Sequence, residues 1–472
     1  MKLVRKPNML WKLVLLSLLS IINSISIGKI ENCVLIGNTS ISLFNITQEQ
    51  CICQMINSNE LAYALNYFST NQTCHLFYSN TSSIFIEFYS NSTFIFNKQS
   101  SVSIYTNPTS TSTLTSMSSS STTTATTRSV SSSFRSQVTY TVGYFPEAVA
   151  VGDLNRDNKS DIIVANSNSN NIGIVFNEGN GTFSNSITYS VASGPSSLAI
   201  VDVNNDSKLD IIVGNKGAVK VSVLLNRDNG TFFDSVAYSL DSSPYSVAVI
   251  DLNNDSMPDI MATDYYSSTV SVLLNKGNGT FLNQITYTVG SMPYSVVAID
   301  VNDDNKPDII TSNSGANSIS ILFNRGNGTF LNQITYSVGS KPYSIAVFDL
   351  DGDTKSDVIV ANSDSNTISI LFNAGNGTFL NQITYSVGSM PYSVAVNDMN
   401  GDDKADIIVA NSGSDNVIIL FNTGNGTFSN QVTCTVGGNP HSVVVNDVNN
   451  DGLPDIIVSN SASNTISVLL QY

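Results

Sequence analysis

Residues 342–390 read PYSIAVFDLDGDTKSDVIVANSDSNTISILFNAGNGTFLNQITYSVGSM, and the next residue is again a proline, Pro391. PYSIAVFDL alternates and carries β-branched residues, the pattern of a half-buried strand. DVIVAN is a short apolar strand, TISILFN alternates again, AGNGTF supplies an Asn-Gly hairpin signal, and NQITYSVG forms a fourth strand. Four short antiparallel strands in 49 residues suit one blade of a β-propeller. The period of two excludes a helical repeat and leaves a β-solenoid as the alternative.

The unit recurs. Prolines stand at Pro146, Pro195, Pro244, Pro293, Pro342, Pro391 and Pro440, every step being 49 residues without insertion or deletion. The region opens on an isolated fourth strand, QVTYTVG (137–143), and closes on an isolated third strand, TISVLLQY (465–472). In a ring the first can complete the last blade, which covers both exposed edges. These ends predict an all-β chain whose residues 137–472 form a closed seven-bladed propeller of four-stranded blades.

Between the first and second strands each unit carries a nonapeptide with Asp or Asn at positions one, three, five and nine. In the first unit these are Asp153, Asn155, Asp157 and Asp161, then Asp202, Asn204, Asp206 and Asp210, then Asp251, Asn253, Asp255 and Asp259. The fourth unit has Asp300, Asn302, Asp304 and Asp308, and the fifth Asp349, Asp351, Asp353 and Asp357. The last two have Asp398, Asn400, Asp402 and Asp406, then Asp447, Asn449, Asp451 and Asp455. Asx turns favour the same residues but tolerate Ser or Gly, whereas all 28 positions here are Asp or Asn. A hard cation such as Ca²⁺ takes six to eight oxygens from such side chains, a position-seven carbonyl and a bidentate ninth Asp. Up to seven Ca²⁺ are expected, and they would bring the formal charge of −16 to about −2. Zinc would call for His or Cys, and the repeats hold only His441 and Cys434. Ser207, Ser256 and Thr354 at the sixth position, where Gly, Asn or Asp suits a positive φ, predict weaker sites.

The string VAVNDMNGDDKADIIVANSGSDNVIILFNTGNGTF (394–428) closely resembles the FG-GAP/VCBS-type repeat of integrin α-chain propellers and many secreted proteins. The resemblance covers residues 137–472 and implies a propeller whose Ca²⁺ loops join the first and second strands. Unlike the integrin pattern, every unit here carries such a loop.

The first 136 residues are of another kind. Lys2, Arg5, Lys6 and Lys12 precede an apolar run, Leu13–Ile22, with Ser24 and Ser26 placed for a cut after Ser26. A run of ten is short for a membrane span of about 20, which favours a cleaved signal (1–26) over an anchor. Residues 27–105 carry Cys33, Cys51, Cys53 and Cys74, the makings of two disulfides of undetermined connectivity. Asn38, Asn45, Asn71, Asn80 and Asn91 begin glycosylation sequons there, and Asn59–Phe68 reads as a helix. CICQ…ALNYFSTNQTCHLFY resembles a PAN/apple module, which would bind protein or carbohydrate; a disulfide-stapled cap of other fold is the alternative. Residues 106–136 form a Ser/Thr-rich linker, too poor in apolar residues to fold.

With 36 acidic against 20 basic residues, the chain lacks the basic stripe of a nucleic-acid binder. It shows no G-x-S-x-G elbow and no phosphate loop, and its imidazoles are His75 and His441 alone, so no catalytic constellation is visible. Ligand contacts are expected on the face away from the acidic loops, where Tyr245, Tyr294, Tyr343, Tyr392 and His441 follow the repeat prolines and TDYYSST adds Tyr265 and Tyr266, a partial aromatic ring near the axis. The bland alternative is that these tyrosines wedge between blades. Asn180, Asn229, Asn278, Asn327, Asn376 and Asn425 are GNGT or DNGT sequons explained equally by the hairpin turn. The expectation is a secreted recognition or adhesion module for an extracellular glycan or protein, of undetermined oligomeric state. The alternatives are a polysaccharide-active propeller enzyme and a structural matrix component.

Overall fold

A computed structural model describes residues 134–472, apart from the side chain of Asn430, and the backbone of eight short strands between Ile25 and Thr106. The signal segment, most of the Ser/Thr linker, and the side chains of Cys33, Cys51, Cys53 and Cys74 lie outside the described residues, as do the PAN-like features that rest on them. The eight strands make two four-stranded sheets. Asn59–Phe68, expected as a helix, is instead the strand Glu60–Phe68. Leu61, Tyr63, Leu65 and Tyr67 alternate with period two, and aromatic residues favour the pleated surface.

Residues 134–472 form seven four-stranded antiparallel sheets in chain order, each beginning at or just after a repeat proline. The fifth blade shows the pattern: Pro342–Phe348, Asp357–Asn362, Thr367–Leu371 and Ile383–Ser386. First strands pack against first strands around the ring, and that of blade 1, Pro146–Gly152, touches those of both blade 2 and blade 7. The propeller is therefore closed.

The apolar core lies between blades. Second strands such as Asp161–Asn166 are buried along their whole length, covered on both faces by neighbouring sheets. Leu154, Ile163 and Ile174 of blade 1 pack on Ile211, Val213 and Leu224 of blade 2, and seven such clusters follow one another round the disc. Each fully buried Val, Leu or Ile contributes roughly 1.5–3 kcal/mol. Fourth strands have mostly exposed residues and form the rim.

Closure occurs where the ends of the repeat region predicted it. Val138–Thr141 pairs antiparallel with Thr465–Leu469 to complete blade 7. The splice extends further than QVTYTVG. Phe134, in the stretch read as linker, bridges Gln471 as Phe183 pairs with Asn177, and Arg135 N–H donates to the Leu470 carbonyl at 2.8 Å. In six places a rim tyrosine meets the Phe of the next blade's GTF turn edge-on, as Tyr189 does Phe232 at 5.4 Å. Blade 7 has no GTF turn; Phe134 packs there instead, beside Cys434, which takes the tyrosine's place. Deleting residues 134–141 is expected to lower the melting temperature by well over 5 °C, measured by circular dichroism, whereas deleting 125–132 changes it little.

Candidate functional site

The two ends of each first strand place two different sets of side chains on opposite faces of the disc. At the C-terminal end lies the acidic loop. Its fourth and sixth residues are left-handed in all seven copies, for example Arg156 (φ 63°) and Asn158 (φ 61°), which winds the chain round its own side chains. The sixth position was legible from its Asn, Asp and Gly content; the fourth was not singled out. Thr354 (φ 71°) is the least comfortable occupant, because a β-branched side chain opposes this conformation.

The first Asp of every loop accepts N–H bonds from the fifth residue at 3.1–3.2 Å and the sixth at 2.6–2.8 Å. The third side chain accepts the fifth N–H as well, as Asn155 does from Asp157 at 3.0 Å. Positions one, three and five thus converge. In blade 5, where all three are carboxylates, Asp349, Asp351 and Asp353 each bring a ligand oxygen within 4.8 Å of the others. A lysine at position seven competes for the fifth carboxylate in five loops, from Lys355–Asp353 at 2.6 Å to Lys159–Asp157 at 3.6 Å. Such part-exposed pairs contribute at most about 1 kcal/mol.

The ninth Asp does something the sequence did not disclose. It is buried in every blade. One oxygen accepts the N–H of the loop's second residue at 2.9–3.3 Å. The other accepts the N–H of the Asn or Gln two places past the last buried Val or Leu of the third strand at 2.7–2.9 Å. That residue is Asn177, Asn226, Asn275, Asn324, Asn373, Asn422 or Gln471. Its side-chain amide donates at 2.7–3.0 Å to the carbonyl of the second loop residue in the preceding blade. The ring closes through Asn177 to Val448 at 2.8 Å. Burial raises the pKa of each ninth Asp to about 6 despite the two N–H donors, and the loop carboxylates add to the rise. Clefts of about 370 and 510 Å³ open between neighbouring acidic loops, at blades 6 and 7 and at blades 3 and 4.

The opposite face is aromatic. In most blades a β-bulge sits between the repeat proline and its partner strand, leaving the next residue out of register. A bulge re-aims a side chain, and here the re-aimed set meets at the axis. Tyr245 and Tyr294 have ring centroids 4.9 Å apart, Tyr294 and Tyr343 4.2 Å, Tyr343 and Tyr392 4.6 Å, and Tyr392 and His441 4.5 Å. Tyr265 stacks on Tyr245 at 4.4 Å, with Tyr266 edge-on to it at 5.0 Å. Apart from the exposed Tyr266 these tyrosines are half-buried, and none belongs to the inter-blade clusters. The sequence placed all seven rings on this face as a partial aromatic ring near the axis; the structure adds which of them touch.

Blades 1 and 2 lack the tyrosine. Glu147 occupies the first place, and Lys216 reaches it from the next blade, Nζ lying 2.6 Å from both carboxylate oxygens and 5.0 Å over the Tyr245 ring. Burial pushes the Glu147 pKa up while Lys216 opposes the rise. Burial, and then Lys216, lower that of His441 to about 4, so the imidazole is neutral at physiological pH. Burial and neighbouring tyrosines hold Tyr245, Tyr294 and Tyr392 in the phenol form.

With both faces described, the chain can be set beside known proteins. The FG-GAP-like repeat matches residues 153–213, 202–262, 251–311, 300–360, 349–409 and 398–458. The chain belongs to the FG-GAP-like repeat family. No curated protein matches it. The fold is similar to BBS1N from its complex with ARL6DN (TM-score 0.53, 10% identity, covering 72% of this chain and 98% of that one). It is also similar to a streptogramin B lyase (TM-score 0.52, 17% identity, 72% and 98%). Virginiamycin B lyase from Staphylococcus aureus shares it too (TM-score 0.51, 14% identity, 71% and 99%). At these identities the likeness is one of fold alone. Among the described residues no helix is long and apolar enough to cross a membrane.

One FG-GAP unit breaks its own rule beside the aromatic face. Six second strands end in a buried Asn, and blade 3 ends in Asp264, fully buried, with Ser271 Oγ 2.6 Å and Thr269 Oγ1 3.0 Å from Oδ2. Burial raises its pKa to about 6, and Asp241 adds to the rise. A raised carboxyl pKa means a cost that is absent below about pH 4, grows through pH 6 and is complete above it. Asp264→Asn is therefore expected to stabilise the propeller at pH 7.5 by up to roughly 3 kcal/mol. The gain should shrink towards pH 4.5, which paired thermal melts at the two pH values will read.

Proposed function

We propose that this protein is a secreted, Ca²⁺-braced propeller that recognises an extracellular glycan or protein through the aromatic mouth of its axis. The observation that carries the reading is the run of mutually stacked rings from His441 to Tyr265, half-buried at the centre of a face. Closing the core does not require it, because the seven inter-blade clusters exclude these rings. Departures from the repeat also gather there: Glu147, Lys216, Tyr265, Tyr266 and His441 all lie around the axis.

The calcium part rests on the donor set. In each loop the side chains at positions one, three and five are hard oxygens held inward by backbone N–H groups, which suits Ca²⁺. Those residues would hold the ion beside the buried ninth Asp, whose own bonds join loop to strand. The apolar run at Leu13–Ile22 supports export, and export would bring the exposed GNGT asparagines within reach of N-glycosylation.

A ligand of the native state stabilises it by about 2.7 kcal/mol at a hundred times its dissociation constant. Melting in 2 mM CaCl₂ is thus expected several degrees above melting in EDTA, with Mg²⁺ giving less. Identical curves would remove calcium from the account. Binding of array-displayed glycans and proteins should persist in one partner class and fall on Tyr294→Ala, which tests the face itself.

A further inference from the structure

Taking the axial face as a recognition site, we infer that its ligand is an uncharged carbohydrate. The arc itself is made of rings and hydroxyls with one charged pair, and the exposed carboxylates of this face, Asp241 and Asp415, lie in its connecting loops. Glu147 and Lys216 neutralise each other at 2.6 Å, and the carboxylate side chain is only 6% exposed. A charged ligand that paired with either member would have to break that pair and leave the other without compensation, which is strongly unfavourable. The other lysine in the loops of this face, Lys341, is held by Asp364 at 3.1 Å. An acidic sugar therefore meets no unpaired cation at the arc.

The uncharged groups suit a sugar ring. Tyr294–Tyr343 and Tyr392–His441 are tilted by 30° and 38°, making a stepped platform of overlapping rings. A pyranose presents an apolar face of C–H bonds and an edge of hydroxyls, and tyrosine likewise has an apolar body with a polar tip. Each phenol both donates and accepts, and the neutral imidazole of His441 does the same through its two nitrogens. The stacked run comprises six rings, His441 to Tyr265, which is longer than one monosaccharide. An oligosaccharide fits it better. Tyr266, 71% exposed at the end of that run, is placed to contribute a further stacking surface.

The test uses the full chain in CaCl₂ and titrates it with three sets of oligosaccharides. The neutral set comprises cello-, manno-, xylo- and N-acetylglucosamine oligomers; galacturonate oligomers are the acidic set and glucosamine oligomers the basic one. Calorimetry at 50 and 500 mM NaCl and at pH 5.5 and 8.5 gives the affinities. At least one neutral oligomer is expected to bind, with affinity changing less than twofold across these conditions. Tyr266→Ala should weaken it at least fivefold with the melting temperature unchanged, because that side chain is exposed. Preference for the acidic or basic set, with affinity falling steeply as salt rises, would overturn the uncharged class while leaving the face a recognition site. So would Tyr266-dependent binding of a displayed protein with no sugar bound. If no neutral sugar binds and Tyr266→Ala changes no binding of any kind, both the inference and the recognition reading fail.

Discussion

Seven buried carboxylates hold the disc together. Each ninth Asp accepts one N–H from its own acidic loop and one from the Asn or Gln at the end of its blade's third-strand segment, so it ties a loop to a sheet. The tied residue, Asn or Gln, then reaches to the preceding blade's loop. Loop, blade and neighbour are thereby one hydrogen-bonded unit repeated round the axis. Burying a carboxylate is unfavourable unless it is well hydrogen-bonded, and these sites supply two backbone donors each. The arrangement also constrains the loop's length, because a residue inserted in it would disturb the bond between its second N–H and the ninth carboxylate.

The brace frees the other end of each first strand. Apolar burial and the Asp–Asn ties lie within and between blades and towards the loop face, so the residues after the repeat prolines are under weaker packing demands. Serines two places after the prolines still help, as Ser197 Oγ accepts the Val247 N–H of the next blade at 3.0 Å. The residue between proline and serine is turned to the axis, where blades differ most. Blades 3 to 6 contribute identical tyrosines, blades 7, 1 and 2 have His441, Glu147 and Ser196 there, and Lys216 and Tyr265 join from just after the second strands of blades 2 and 3. A ring kept uniform for stability and varied at one mouth is what a binding surface on a rigid scaffold requires.

Much of this could be read in the residues. The fixed step and the out-of-phase ends predicted the blade count and the splice, because both are properties of chain order. Phe134 lies 49 residues before Phe183 and so belonged to the pattern, but its neighbours SSSFRS resemble the Ser/Thr tract. The helix expected over Asn59–Phe68 failed because Leu and Ala suit either period, and the alternating aromatics decided for a strand. Asn226 and its equivalents were passed over, since an Asn ending a strand reads as a turn former and its bond to Leu154 spans 72 residues. The stacking of Tyr294 on Tyr343 depends on bulges, which a regular alternation does not announce.

The central claim is that the ninth Asp is a brace in its own right, beyond any part in holding an ion. Comparing Asp308→Ala with Asp304→Ala, each unfolded by urea in CaCl₂ and in EDTA, tests it most directly. Asp308→Ala is predicted to lose several kcal/mol in both solutions, because two buried N–H groups lose their acceptor. Asp304→Ala should lose stability in CaCl₂ and little in EDTA. If both variants are as stable as the wild type in EDTA, the ninth Asp serves only the ion, and the account of the brace is wrong.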